Sequence, residues 1–144
     1  MVEGAAPGTV LQRGRAKAYR PMPPGDRATA FGAGLAAYER GDFFLAHELL
    51  EPAWMGTDEL GERELYQGVI KLAAAFVHGV RGNPPGIARN LEGSRMLLGG
   101  AREAGVDRGL DLDDLIASID DRLERLAAGE TAIEPPRISR RTST

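Results

Sequence analysis

The chain has 144 residues, no cysteine, 18 Lys and Arg against 21 Asp and Glu, and a formal net charge of −3. That length suits one domain able to bury roughly two-thirds of its unfolded surface. The lack of cysteine excludes disulfides, thiolate zinc sites and cysteine nucleophiles, and the mildly acidic balance argues against a protein that coats nucleic acid.

Charge divides the chain into three parts. Residues 1–27 carry a net +3, residues 28–129 a net −7, and residues 130–144 a net +1. Pro21, Pro23 and Pro24 close the first part, and Pro135 and Pro136 lie in the last. The expected organisation is a basic, Pro-rich N-terminal arm (1–27), a helical body (28–129) and a loose C-terminal tail (130–144). The arm either docks on its own body, stays solvated, or reaches a partner; docking or solvation is the plainer reading, because few charges are involved. Residues 1–8 lack a basic n-region and an apolar h-region, so no signal peptide is expected. The most apolar stretch, Val69 to Val80, is broken by Lys71 and His78 and falls short of the ~20 residues a spanning helix needs. A cytoplasmic protein without a membrane partner is the expectation.

Five helices follow from the apolar spacing of the body. Phe31, Leu35 and Tyr38 stripe a first helix over Ala28–Arg40, which Gly41 ends. Asp42 caps a second, with Phe43, Ala46, Leu50 and Trp54 on one face. A third, predicted from Glu59 to Arg81, is apolar nearly all round and is therefore central; Gly82 stops it. Asn83 caps a fourth, with Pro84 and Pro85 in its first turn, Ile87, Leu91, Met96 and Leu98 as its apolar residues, and an end near Gly105. Asp111 caps a fifth, striped by Leu112, Leu115, Ile116, Ile119, Leu123 and Leu126 before Gly129. No segment alternates with period two over a useful length. The fold class is thus all-α: a compact bundle of about five helices, built from two antiparallel helical hairpins plus a closing helix. Arg40-Gly41-Asp42 returns as Arg81-Gly82-Asn83, and Leu50-Glu51 as Leu91-Glu92, at one common offset. That echo fits either repeated hairpins or ordinary reuse of helix-end chemistry.

The polar residues with chemical potential cluster on the second and third helices. On a wheel of 100° per residue counted from Phe43, His47 falls at about 40°, near the middle of the apolar stripe, with Glu51 one turn on. An imidazole there needs a hydrogen-bond partner, and Glu51 is placed to be one. Glu64, Gln67, Lys71, Ala74 and His78 form one polar seam on the third helix at spacings of 3, 4, 3 and 4. If the two helices pack antiparallel, the seam faces His47 and Glu51; otherwise it faces water. His-Glu-Leu-Leu-Glu at 47–51 is not the His-Glu-x-x-His of zinc peptidases, and no phosphate-loop or nucleophile-elbow motif occurs.

Three blocks carry a resemblance: Phe44-x-x-His47-Glu48-x-x-Glu51-x-x-Trp54, Tyr66-Gln67-Gly68-x-x-Lys71, and His78-x-x-Arg81-Gly82-Asn83. Together they resemble the DUF309 family of small all-helical proteins of undefined function. The likeness runs from about Phe31 to Leu126. It implies a compact bundle with His47, Glu48, Glu51, Trp54, Gln67 and His78 as signature residues, and it implies no activity. Pro52 departs from the pattern: inside the second helix it removes a backbone bond, so a kink or early end is expected there.

The expected function is a non-catalytic helical module that binds a small polar or anionic ligand, or a partner segment, in a pocket between the second and third helices. His47, Glu48, Glu51, Trp54, Gln67, Lys71 and His78 would line it, with Phe44 as a further apolar wall and Lys71 favouring an anion. No cofactor, resident metal or nucleic-acid partner is expected. Two alternatives stand beside it. One is a metal-dependent, hydrolase-like enzyme with His47, Glu51 and His78 as ligands and Glu48 as general base. The other is a structural protein in which these groups form a buried polar network.

Overall fold

The computed structural model describes residues 7–141 of the chain. Two short strands, β1 (Thr9–Gln12) and β2 (Arg15–Ala18), precede α1 (Pro24–Glu39), α2 (Phe43–Met55), α3 (Leu60–Ala75), α4 (Pro84–Glu103) and α5 (Leu112–Ala127). Each helix packs on its neighbour in the chain, α1 on α2, α2 on α3, α3 on α4 and α4 on α5. The fold is therefore the all-α, five-helix arrangement that the periodicities predict, with a small hairpin placed ahead of it. No helix among the described residues is long and apolar enough to cross a membrane.

Local chemistry explains the helix starts. The Asp42 side chain accepts from the Leu45 N–H, Asp111 from the Asp114 N–H, and Glu59 from the N–H groups of Gly61 and Glu62. Each cap meets backbone donors that have no partner within the helix, a contribution of about 1 kcal/mol. Asn83 occupies the expected cap position of α4, but its side chain makes no capping bond. Leu35, Leu50, Leu65, Leu72, Leu91, Leu98, Leu115 and Ile119 form the centre of the core. Burying a side chain of this kind stabilises by roughly 1.5–3 kcal/mol. Close helix approach depends on glycine: a Cβ on Gly34 of α1 would fall 2.5 Å from Leu50 Cγ of α2, and one on Gly68 of α3 2.6 Å from Leu98 Cδ2 of α4.

Several expectations are corrected. α3 ends at Ala75 rather than Arg81: the chain tightens to i→i−3 bonds at Phe76 and Val77, and Gly79 then turns it at φ +86°. Val77 and Val80 continued the apolar spacing in sequence, yet both are exposed. α1 begins at Pro24, four residues before Ala28, since a proline in the first helical turn gives up no intrahelical bond. Of the kink or early end expected at Pro52, the early end does not occur: α2 continues through Pro52 to Met55. On α4, Met96 is exposed and Leu97 takes the buried place.

The described segments on either side of the helices, 7–23 and 128–141, are also more structured than their composition suggests. β1 and β2 pair antiparallel with Gln12 opposite Arg15, leaving Arg13 and Gly14 as a two-residue turn with φ of +50° and +79°. Positive φ at both turn residues suits the right-handed twist of a hairpin. The segment after α5 is a strap rather than a loose tail. Ile133 is fully buried, the Tyr38 hydroxyl donates to the Pro136 carbonyl at 2.7 Å, and the Asp111 N–H donates to the Ser139 carbonyl at 2.9 Å.

Candidate functional site

α3 is buried along every line but one. From Gly61 to Ala75 only Gln67, Lys71 and Ala74 keep partial exposure, and these are seam positions. The seam runs beside α4, whose glycines make room for it. A Cβ on Gly100 would meet Glu64 Oε1, and one on Gly93 would lie 3.6 Å from Lys71 Cδ. Lys71 and Glu64 are seven residues apart, as are Gly93 and Gly100, so the antiparallel pair repeats the same contact two turns along.

The end of the seam nearest the α2–α3 turn is covered by the hairpin. Gln12 of β1, only 3% exposed, places its carboxamide among four side chains. Its Oε1 accepts from Trp54 Nε1 at 3.0 Å and from Arg63 Nε at 3.1 Å. Its Nε2 donates to Gln67 Oε1 at 2.7 Å and to Glu64 Oε2 at 3.3 Å. A primary amide has two donors and two acceptor lone pairs, and all of them are used. Arg13 adds a two-point contact to Glu64, at 2.8 and 2.5 Å. The basic arm therefore docks on its own body through these two residues.

Arg63 anchors the cluster from below. It is fully buried, and its Nη1 donates to the carbonyls of Trp54 and Thr57 at 3.1 and 2.9 Å. Its guanidinium carbon lies 5.1 Å from the Trp54 ring centroid, a cation–π contact. Burial pulls the guanidinium below its usual value, and Asp58 and Tyr19 act in the opposite direction. A cation here is kept charged mainly by oriented carbonyls and by the indole face.

The remaining expected residues fall into two places. His47 Nδ1 is 3.8 Å from Glu48 Oε1 and 3.7 Å from Glu51 Oε2, and no hydrogen bond reaches it although the atom is buried. The histidine side chain as a whole is about one-third exposed, so it stands at the edge of the apolar stripe rather than in its middle. Positions 43, 47, 51 and 54 share that edge of α2, the edge from which Trp54 reaches Gln12. Phe44, expected as an apolar wall, is largely exposed. His78 lies beyond the end of α3, exposed in the loop that leads to α4, with its Cβ against Gly82. Among the described residues no three His, Asp or Glu side chains converge in a set that could hold a metal ion. The His47–Glu51–His78 ligand set is thus not assembled, because the helix stops before the third member.

Sequence reasoning missed Gln12, Arg13 and Arg63. The signal for Arg63 was available: it is a cation inside the otherwise apolar arc of a central helix. Gln12 and Arg13 carried none, since their role depends on a hairpin folding back across more than 50 residues of chain.

Comparison with known proteins agrees with the resemblance in the three sequence blocks. Residues 31–90 match the model of DUF309, a domain of unknown function. The uncharacterised protein YpuF of Bacillus subtilis (strain 168) is 32% identical over 97 residues, covering 65% of this chain and 56% of that protein. The chain thus spans little more than half the length of this curated relative. No solved structure matches it. Across residues 31–90 the chain therefore carries a DUF309 domain, and it is a distant homologue of uncharacterised YpuF.

Proposed function

We propose that this chain is a non-catalytic binding module that reads an extended polar segment laid along the α3 seam between α2 and α4. The bonding of Gln12 supports this most. Trp54, Arg63, Glu64 and Gln67 all belong to the DUF309 region, whereas the strand that satisfies them lies outside it. A cradle that meets all four bonds of a carboxamide, beside a carboxylate that clamps a guanidinium at two points, has the donor and acceptor pattern of peptide recognition. Beyond Gln67 the seam continues as Lys71, and the reading extends the ligand toward His47, Glu48 and Glu51 on α2, the helix from which Trp54 reaches the cradle. That stretch suits a polar or anionic continuation of the same ligand.

The bonds that Trp54 Nε1 and Gln67 Oε1 make within the chain also favour a second reading, in which the network only fixes the register of the hairpin and helices. A single titration separates the two. The full-length Gln12→Ala/Arg13→Ala double variant would be titrated with a synthetic peptide of residues 8–18, following the emission of Trp54, the only tryptophan. The binding reading expects a saturable change with Kd at or below about 1 mM, lost when the peptide carries Ala in place of Gln. A flat titration leaves the network as structural and removes the binding reading.

A further inference from the structure

On the face of α3 turned away from Glu64 and Gln67, a cavity of about 610 Å³ opens between α1, the loop after α4, and the C-terminal strap. Its lining includes Arg27, Phe31, Glu62, Tyr66, Arg108 and Arg140. Three guanidinium groups therefore share a wall with one carboxylate. Pro24, Ala28 and Gly32 of α1 give it an apolar side, backed by the buried rings of Phe31 and Tyr66, whose centroids are 5.2 Å apart. A cavity of that volume is in the range that takes a small molecule.

The hydrogen bonds of Glu62 decide which of these cations is held most loosely. Its Oε2 accepts from Arg27 Nε at 2.9 Å and from the Tyr66 hydroxyl at 2.5 Å. Its Oε1 accepts from Arg27 Nη2 at 3.2 Å and from the Thr57 hydroxyl at 3.0 Å. A carboxylate offers about four lone-pair positions, and these donors fill them. Arg27 is thus held at two points, whereas Arg108 makes only a longer ion pair with the same carboxylate, 3.5 Å from Glu62 Oε1, beside the Tyr66 hydroxyl. Arg140 is 4.0 Å from Glu39, and both of those side chains are more than half exposed. Arg108 is moreover held at φ +46°, a conformation costly for a residue with a Cβ. The chain therefore keeps a strained, half-exposed arginine beside an already neutralised carboxylate, facing a cavity with an apolar α1 wall.

We propose that this cavity binds a small phosphate monoester with a flat apolar body, the dianion meeting Arg108 and Arg140 and the body lying against the α1 wall of Pro24, Ala28 and Gly32. Two guanidiniums whose carboxylate partners stand no closer than 3.5 and 4.0 Å suit a double negative charge, and their planar donor forks suit phosphate oxygens. The site is independent of the Gln12 cradle.

Calorimetric titration of the full-length protein with phenyl phosphate, inorganic phosphate and benzyl alcohol tests this. Phenyl phosphate should bind saturably and at least about tenfold more tightly than either of the other two. Arg108→Gly should weaken it by about tenfold or more while keeping the fold, because glycine adopts φ +46° without strain. Arg140→Gln should weaken it in the same direction. The Gln12→Ala/Arg13→Ala variant should bind phenyl phosphate as the parent does, so failure here and failure of the cradle reading are distinct. Equal binding of inorganic and phenyl phosphate, no binding of phenyl phosphate, or unchanged affinity in folded Arg108→Gly would each overturn the proposal.

Discussion

The indole N–H of Trp54 donates to the carboxamide oxygen of Gln12 at 3.0 Å, joining the last turn of α2 to a strand 42 residues earlier in the chain. The same oxygen takes Arg63 Nε, so one side-chain carbonyl serves two donors, one of them on a fully buried cation. The hairpin, the α2–α3 turn and the start of the α3 seam are thereby one polar unit, and its removal is the most informative perturbation of this fold.

Gln12→Ala deletes the carboxamide and leaves Trp54 Nε1, Arg63 Nε and Gln67 Oε1 without it. Buried polar groups deprived of a partner cost about 1–3 kcal/mol, so a loss near 2 kcal/mol in urea denaturation is expected. A loss below about 0.5 kcal/mol would mean that water replaces the carboxamide freely and that the unit does not act as one.

Two glycines of the α3–α4 contact should respond in opposite directions. A Cβ on Gly68 would sit 2.6 Å from Leu98 Cδ2 in the core, where the neighbour is wholly buried, so Gly68→Ala should destabilise by about 1–3 kcal/mol. A Cβ on Gly93 would meet only the Lys71 stem at 3.6 Å, an ordinary contact, so Gly93→Ala should be neutral or stabilise by up to ~1 kcal/mol through helix propensity. Thermal melts of the two variants should bracket the parent; the same sign for both would contradict the described packing.

The acid limb of stability should report on Glu62. Burial pushes its carboxyl up, but hydrogen bonds from Arg27, Tyr66 and Thr57 outweigh that and hold it below its ordinary value of 4.5. The folded state therefore binds this proton less readily than the unfolded state. The stabilisation is complete above pH 4.5 and disappears as the pH falls through the lower folded value. Denaturation midpoints measured from pH 7 to pH 3 should fall steeply in the parent and more gently in Glu62→Gln. Parallel profiles would show that other carboxylates dominate.

The two histidines should separate in a stability assay. His78 is exposed in the loop after α3, so His78→Ala should stay within about 0.5 kcal/mol of the parent. His47 is packed at the edge of α2 with its Nδ1 buried, so His47→Ala should cost about 1 kcal/mol or more. Equal effects on melting temperature would place the two side chains in similar surroundings, contrary to the structure.

What the sequence determined by itself were the features set by neighbours a few residues away. The caps at Asp42 and Asp111, the stop at Gly41, the all-round burial of α3 and its single exposed line at Gln67, Lys71 and Ala74 all follow from periodicity and helix-end chemistry. Tertiary structure decided the rest. The placing of the loop after α3 depends on Ile133 reaching the Val80 carbonyl, and the docking of the segments that flank the helices depends on Gln12 meeting Arg63 and on Tyr38 meeting Pro136. In each of these pairs the partners lie about 50 residues apart or more, so neither flanking spacing nor propensity carries the information. Only the packed body brings a donor and its acceptor within 3 Å or so, where burial then makes the bond obligatory.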